Sequence, residues 1–425
     1  MILNMKDSPE ILSRATLGAA LARLLPSGAR VLVQGGAGES SYWLAALNDA
    51  GESLPSLHFT GALLPGINDA PYLPHAAHQQ IFFLTPALRQ GVAAGRVDFL
   101  AIGYSDILRH LVAGRIDAAL MMLTPPDADG QCSFGVAQDF LAEIWPQIPL
   151  RIAHINPAMP RTHGAHIPYC ALDAVVEGTE PLFSPHESAG EDVIASAIAA
   201  HVARIIPDGA CIQTGIGKLP GAILAALTTK RELRIHSGLI GDAVLSLMDA
   251  GALARGRAIT AGLAVGSAAL YAAIERAGDL FHFGGVSETH GFATIAAIPR
   301  FCAINGAMSV DLWGQVYSEM GPKGLTSGPG GLADFARGAR ASTGGLSIIA
   351  LPARAGTTPR IVAPGAGAGP VTLGRGLVDM VVSEFGIADL RNAGHGERAA
   401  RIIAIAHPDD RAALGATWDK TAAMF

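Results

Sequence analysis

Residues 22–29 read ARLLPSGA, and residues 203–210 read ARIIPDGA. Each stretch is followed by a short run typical of a β-strand, then by a glycine-rich turn, and then by a helix-type segment ending in LAAL. A strand that leads through a glycine turn into a helix is the opening of an α/β unit. The two stretches therefore indicate that one α/β module occurs twice in this chain.

A second correspondence supports the duplication. Asp127–Gln131 reads DADGQ after an apolar run, and Asp311–Gln315 reads DLWGQ after another. Both pairs of segments are separated by about 180 residues, and agreement of two offsets is the signature of an internal repeat. Short β-type runs also alternate with alanine-rich helical segments along the chain, which favours parallel sheets covered by helices. We predict two similar α/β domains with mostly parallel sheets.

The sequence also indicates where the two copies are connected. Residues 177–191 contain two prolines and several acidic residues without clear periodicity, and they end in Ser188-x-x-Glu191, a capping-box pattern before a helical segment at 193–206. We therefore predict an N-terminal domain at 1–185 and a C-terminal domain at 186–425.

Composition excludes several classes of protein. The chain has 425 residues, 50% of them hydrophobic, with 30 Lys+Arg against 36 Asp+Glu and a formal net charge of −6. Disordered chains have few apolar residues, and nucleic-acid binders carry a basic excess, so neither class fits. The mean hydropathy of +0.35 is high. However, the most apolar stretch, Ala258–Ile274, contains polar residues and is shorter than the roughly 20 residues of a membrane span. We interpret it as a buried helix and expect no membrane partner.

The cysteines and the N-terminal residues indicate the cellular location of the protein. The four cysteines are scattered without a CxxC pair or a His/Cys cluster, which predicts a reduced, cytoplasmic protein without a metal site. Lys6 and Asp7 lie where a signal peptide would have its apolar core.

Two glycine-rich loops are candidates for ligand binding. Gly215–Gly217 lies at a strand-to-helix turn, and Ser327–Gly331 has three glycines within four positions. Exposed backbone N–H groups at such places bind anions or a developing oxyanion. Each loop taken alone also fits a tight turn without a ligand. A dinucleotide site is disfavoured, because the glycine after Gly217 is Gly221 and the fingerprint spacing is broken.

Together with other motifs, these loops resemble one family over nearly the whole chain. The chain resembles the acetyl-CoA hydrolase/transferase family, in particular its 4-hydroxybutyrate CoA-transferase-like branch. The resemblance rests on the segments PPDADGQCSFG (125–135), NPAMPRT (156–162), QTGIG (213–217), VDLWGQ (310–315), SGPGG (327–331), DFARG (334–338) and IAHPD (405–409).

The resemblance implies a fold of two related α/β domains and an enzyme of the CoA-transferase or acyl-CoA hydrolase type. Coenzyme A or acyl-CoA would be a substrate and not a resident cofactor, a carboxylate would be the acceptor, and the protein would be a homodimer. The residues that it places against CoA are Gly215, Ile216, Gly217, Lys218, Leu219, Asn305, Gly328, Gly330 and Gly331.

One departure from the family lies at the centre of its chemistry. Family members attack the thioester with a glutamate that follows a strand in the pattern His-Ser-Glu. This chain reads His236-Ser237-Gly238, and glycine has no side chain that could act as the nucleophile. A new carboxylate is present at Glu288, in a segment where the family commonly has tyrosine. We predict that Glu288 acts on a CoA thioester with His236 or His290; the alternative is a solvated loop carboxylate.

Two functions therefore remain open. The first is an enzyme that carries out transfer, hydrolysis or C–C cleavage of an acyl-CoA without the usual nucleophile that forms glutamyl-CoA. The second is a catalytically inactive acyl-CoA-binding or regulatory homologue. Gly284 and Gly285 replace larger residues of the family and predict room for a bulkier acyl chain.

Overall fold

The computed structural model describes residues 8–69, 72, 76–185, 192–321 and 324–424. The chain packs into two compact units. Unit 1 consists of Met1–Pro185 and Thr260–Glu288, and unit 2 consists of His186–Ile259 and Thr289–Phe425. The domain limits at 185 and 186 stay a prediction. The predicted capping box at Ser188–Glu191 lies outside the described residues.

The strands are short, as expected for parallel sheets connected by helices. In chain order they are β1 (Glu10–Leu12), β2 (Arg30–Val33), β3 (His58–Gly61), β4 (His78–Ile81), β5 (Val97–Phe99), β6 (Ala118–Leu123), β7 (Gln131–Ser133), β8 (Leu150–Ile155), β9 (His166–Pro168), β10 (Ala174–Glu177), β11 (Cys211–Thr214), β12 (Arg234–Ile240), β13 (Ile259–Ala264), β14 (Phe281–Phe283), β15 (Phe301–Asn305), β16 (Ser309–Asp311), β17 (Val316–Tyr317), β18 (Met320–Gly321), β19 (Gly324–Leu325), β20 (Leu346–Ala350), β21 (Arg354–Ala355), β22 (Thr358–Pro359), β23 (Ile361–Val362), β24 (Met380–Ser383) and β25 (Gly386–Asp389).

α-Helices directly follow several strands, among them β11, β12 and β13. They are α1 (Leu17–Leu24), α2 (Ser41–Ala50), α3 (Arg89–Ala93), α4 (Tyr104–Ala113), α5 (Leu141–Ile144), α6 (Val193–Ile205), α7 (Lys218–Ala226), α8 (Ala243–Asp249), α9 (Ala268–Arg276), α10 (Val286–Thr289), α11 (Phe292–Ala297), α12 (Leu332–Ala341), α13 (His395–Ala404) and α14 (Pro408–Ala422).

Unit 1 contains a parallel sheet with strand order β1-β10-β8-β6-β2-β3-β4-β5. Its central strand β6 reads AALMML and is buried at every position. Successive side chains enter two different apolar clusters, since Ala118 and Leu120 belong to one and Ala119 and Met121 to the other. Such a continuous apolar run is what burial of both faces of a parallel strand requires.

Unit 2 contributes six neighbouring strands in the order β12-β11-β15-β20-β24-β25, parallel except for the pair β24–β25. Within unit 1, strands β3-β2-β6-β8-β10 follow one another in the order that β12-β11-β15-β20-β24 follow in unit 2. The prediction of two similar, mostly parallel α/β folds is confirmed.

The repeated Asp-x-x-Gly-Gln segments adopt the same turn. The Asp127 carboxylate accepts hydrogen bonds from the backbone N–H groups of residues 129 and 131 at 3.0 and 2.8 Å. The Asp311 carboxylate does the same for residues 313 and 315 at 3.0 and 2.9 Å. In both turns the glycine has positive φ, +70° at Gly130 and +82° at Gly314, which explains why glycine stands there.

The glycine turns of the two copies differ in their surroundings. Gly35, Gly36 and Gly38 of the first copy are buried, and the Gly36 N–H group donates to the Asn68 side chain at 2.8 Å. A Cβ at Gly38 would lie 2.5 Å from the Gln34 side chain. Residues of unit 1 therefore bury the turn of the first copy.

One sequence interpretation is wrong. Ala258–Ile274 is not a single buried helix, because β13 occupies its first part and α9 begins at Ala268. Val265, Gly266 and Ser267 separate the two elements, so the apolar run is divided by a short connection that contains glycine and serine. Within the described residues, no helix combines the length and the apolar character needed to cross a membrane.

Candidate active site

The first glycine loop is exposed at the carboxyl end of β11. Gly215, Ile216, Gly217 and Lys218 are all exposed, and Leu219 is half-buried. Gly217 has φ +106° and ψ −174°, a conformation that L side chains rarely adopt, and no side chain caps the nine-residue helix α7 that follows. The first N–H groups of an uncapped helix are available to a negatively charged ligand.

A pair of amides joins the ends of two neighbouring strands in unit 2. Asn305 at the end of β15 donates from Nδ2 to Gln213 Oε1 at 3.0 Å, and Gln213 Nε2 returns a bond to Asn305 Oδ1 at 3.3 Å. This reciprocal contact fixes the orientation of Asn305, which is half-buried, beside the strand that leads into Gly215–Gly217.

The second glycine loop precedes helix α12. Gly328 is buried, Gly330 has φ +58°, and Gly331 is the N-cap residue of α12 without a capping side chain. Thr326 at the start of the loop is fixed by bonds from its N–H and hydroxyl groups to the Glu319 carbonyl oxygen, at 2.8 and 3.1 Å. This loop, too, opens into a helix N-terminus.

Strand β12 carries the His-Ser-Gly sequence. His236 is buried, and its Nε2 donates to the Thr289 carbonyl oxygen at 3.0 Å. The Ser237 hydroxyl donates to the Thr214 carbonyl oxygen at 2.8 Å. Gly238 is the next residue of β12. It therefore lies beside the point where the neighbouring strand β11 ends and the first glycine loop begins.

His290 fills the space beside Gly238. A Cβ at Gly238 would lie 2.5 Å from His290 Cε1 and 2.7 Å from Nε2, and a Cβ at Gly331 would lie 2.7 Å from Cδ2. The imidazole is also 4.6 Å from the Phe335 ring, centroid to centroid. Real Cβ atoms do not approach side-chain atoms this closely, so both glycines are needed for His290 to occupy this place.

His290 is a neutral side chain. Burial, followed by the charge of His236, lowers the pKa of His290 to about 3. Its Nδ1 makes a 2.9 Å hydrogen bond with the Thr289 hydroxyl. A group with so low a pKa is a poor proton acceptor at neutral pH, so His290 is unsuited to act as a general base.

Glu288 lies in unit 1 and is paired with a histidine that sequence reasoning missed. Its two carboxylate oxygens are 2.8 and 2.9 Å from His282 Nε2. The Glu288 side chain is 45% exposed, whereas that of His282 is only 14% exposed. The histidine therefore contacts the carboxylate on the side that faces the protein. Gly284 permits this arrangement, because a Cβ there would collide with the Glu288 carboxylate.

A second carboxylate, that of Glu143, lies against Gly285. Glu143 accepts hydrogen bonds from the Ser287 N–H and hydroxyl groups at 2.7 and 2.5 Å, and a Cβ at Gly285 would collide with it. The Glu288 and Glu143 carboxylates thus occupy the space directly beside the Cα atoms of Gly284 and Gly285, and the room for a bulkier acyl chain stays a prediction.

Asp139 is a third acidic group of unit 1 that sequence reasoning missed. It is buried, and the Tyr104 hydroxyl donates to its carboxylate at 2.9 Å. Burial raises the pKa of Asp139 to about 7. Asp139 has φ +36°, an uncommon conformation for a residue other than glycine.

This raised pKa predicts a pH-dependent stability. The unfolded carboxyl loses its proton near pH 4, whereas the folded one keeps it up to about pH 7, so ionisation destabilises the fold as the pH rises through that window. Asp139→Asn keeps an acceptor for Tyr104 and removes the titration. We expect the thermal midpoint of the wild type to fall relative to the variant between pH 4 and pH 7. Parallel midpoint curves for the two proteins would contradict this.

The chain matches two family models. The model of the acetyl-CoA hydrolase/transferase N-terminal domain matches residues 19–183, and that of the C-terminal domain of the same family matches residues 266–417. The matched segments exceed half of the chain.

Individual proteins are similar over comparable lengths. A 4-hydroxybutyrate coenzyme A transferase from Clostridium kluyveri is 34% identical over 80% of this chain and 81% of its own length. A succinyl-CoA:cyclohexane-1-carboxylate CoA transferase from Geobacter metallireducens is 34% identical over 78% of each chain. Among solved structures, RipA from Yersinia pestis has a TM-score of 0.88 with 28% identity over 97% of each chain.

Proposed function

Because the chain belongs to the acetyl-CoA hydrolase/transferase family, we propose that it acts on acyl-CoA thioesters without a glutamate at position 238. The chain is an enzyme of the CoA-transferase type. Its substrates would be an acyl-CoA and a carboxylate or water that accepts the CoA or acyl group. The single observation that carries the proposal is the imidazole of His290 in the space beside Gly238.

The exposed loop Gly215–Leu219 is proposed to hold the negatively charged part of CoA. Its support is the uncapped N-terminus of α7 together with the exposed ammonium group of Lys218. Asn305 is proposed to contact the thioester region, since its amide is held by Gln213. Gly328, Gly330 and Gly331 are proposed to supply N–H groups for the same ligand.

Glu288 is proposed as the reacting carboxylate. A carboxylate oxygen of Glu288 would attack the thioester carbonyl carbon, and the C–S bond would break as CoA leaves as a thiolate. The CoA thiolate would open the resulting acyl anhydride at the Glu288 carbonyl carbon, which releases the free acid and leaves a glutamyl-CoA thioester on Glu288. The incoming carboxylate would take CoA from that thioester by the reverse of these steps and restore the Glu288 carboxylate. Alternatively, water would open the anhydride and restore the Glu288 carboxylate directly. With water, the acid forms and the thiolate regains a proton. The bond from His282 supports this role because it holds the carboxylate in one orientation while leaving it partly exposed.

Lys218 offers a test of the CoA-binding loop. Lys218→Gln is expected to raise the KM for acyl-CoA by about tenfold, which corresponds to about 1.4 kcal/mol of binding, and to leave kcat nearly unchanged. Steady-state kinetics with acetyl-CoA and butyryl-CoA measure this. The matched control is Lys420→Gln, which removes an exposed lysine on α14. An unchanged KM for Lys218→Gln would contradict binding at this loop.

The alternative is an inactive acyl-CoA binder, since a retained binding loop does not require turnover. Acyl-CoA binding by calorimetry without any product from a panel of acyl-CoAs, with acetate or water as acceptor, would establish it. A homodimeric assembly and a cytoplasmic location stay predictions of the family resemblance and the composition.

A further inference from the structure

We propose that unit 2 carries a second anion site, an arginine-lined pocket for a phosphate or diphosphate group at the edge of the sheet opposite to the glycine loops. The pocket has a volume of about 450 Å³. Four arginines line it, namely Arg340, Arg375, Arg391 and Arg398. This inference does not rest on the proposed function, because none of its residues belongs to the proposed acyl-CoA site.

The position of the pocket follows from the topology of the sheet. Gly345 and Asp379 line it, and they directly precede the parallel strands β20 and β24. The loop Gly215–Gly217 and Asn305 instead follow the carboxyl ends of β11 and β15, which run parallel to β20. The two sites are therefore separated by the length of a five-residue strand, about 16 Å.

The pocket has an excess of positive charge. Arg340 pairs with Asp379 at 2.9 Å, and Arg391 pairs with Asp389 at 2.7 Å. Within the part of the chain that the structure describes, Arg375 and Arg398 make no ion pair. Two guanidinium charges at the pocket are thus left without a carboxylate, which matches the charge of a dianion.

Arg398 builds the floor of the pocket. It is half-buried, and its guanidinium donates to the carbonyl oxygens of Trp313 at 2.8 Å, Arg375 at 2.6 Å and Leu390 at 3.2 Å. These bonds tie Arg398 to three segments of unit 2, of which those of Arg375 and Leu390 line the pocket, without neutralising its charge. The positive potential of Arg398 is therefore retained at the base of the pocket.

Arg375 and Arg391 are placed to bind a ligand. Both are exposed, and the Arg375 guanidinium carbon lies 5.3 Å from the centroid of the Trp313 ring, which orients it. The pocket wall then runs from Arg391 through Asn392 to the N-terminus of α13, whose N-cap is Gly394 without a capping side chain. Guanidinium groups in this number favour a planar or tetrahedral oxyanion with several acceptor oxygens.

Calorimetric titration with pyrophosphate at low ionic strength tests the site. The double variant Arg375→Gln/Arg391→Gln is expected to bind pyrophosphate at least about tenfold more weakly than the wild type. Arg255→Gln, which removes an exposed arginine of the same unit outside the pocket, should bind as the wild type does. Lys218→Gln should retain the binding that the double variant loses, which separates this pocket from the proposed CoA loop. Equal binding by the double variant, or no saturable binding by the wild type, would overturn the proposal.

Two further probes identify the source of the anion. Competition of ADP with pyrophosphate for the wild type would assign the pocket to a diphosphate ester. Inorganic phosphate binding as tightly as pyrophosphate would assign it to free phosphate. Thermal midpoints without ligand, equal for the double variant and Arg255→Gln, would show that the pocket residues are not required for folding.

Discussion

Glu288→Gln is expected to lower acyl-CoA turnover by a factor of about 10²–10⁴. The amide keeps the size of the side chain, so the contact beside Gly284 is preserved. It cannot act as an oxygen nucleophile or as a proton acceptor, and it loses the charge that pairs with His282. Free CoA release from acetyl-CoA and butyryl-CoA, followed with a thiol reagent, measures the loss.

The matched control is Glu275→Gln, which removes an exposed carboxylate on α9 of the same unit. It should keep wild-type turnover. Borohydride reduction after incubation with acyl-CoA should label Glu288 if the covalent route operates, and digestion with mass spectrometry locates the label. Wild-type turnover by Glu288→Gln would remove this residue from the chemistry while leaving the family assignment intact.

The single substitution Gly238→Glu returns a carboxylate to this position, but we do not expect it to restore transferase activity. The new Cβ would lie 2.5 Å from the buried ring of His290, and overpacking of this kind costs about 1–3 kcal/mol of folding free energy. We expect a lower thermal midpoint and no gain of transferase activity. Gly374→Ala is a control for the loss of glycine, since no described atom lies within 4 Å of its added Cβ.

Gly238→Glu combined with His290→Ala supplies the missing space. The double variant is expected to regain part of the thermal midpoint lost by Gly238→Glu alone, measured by differential scanning calorimetry. If position 238 is equivalent to the nucleophile of the family, the double variant should also yield a borohydride-reducible adduct at 238. A Gly238→Glu variant as stable as the wild type would show that His290 does not constrain this position.

The repeat predicted the architecture because its signals are local. Three local signals determine the backbone conformation where they occur: the Pro-x-Gly turns, the short apolar runs and the two Asp turns. Because these signals occur in both copies, the two units have the same strand order. The interpretation of Ala258–Ile274 failed because hydrophobicity alone does not distinguish a buried helix from a strand followed by a helix.

The side-chain contacts of the candidate site could not be predicted in the same way. Glu143 and Ser287 are 144 residues apart, and nothing in either neighbourhood indicates the other. The pairing of Glu288 with His282 depends on the missing side chain at Gly284, which from sequence was interpreted as room for substrate. A glycine reveals that something approaches closely, but only the fold identifies what approaches.

The two glycine turns of the duplicated module have consequences for how the copies could diverge. In unit 1 the N–H group of Gly36 is bonded to Asn68 and the turn is buried, so substitutions there act on stability. In unit 2 the corresponding turn at Gly215–Gly217 is exposed. Packing therefore constrains the buried turn more than the exposed one. Within the described residues, only one of the two turns of the duplicated module is therefore exposed, and it is the one for which anion binding is proposed.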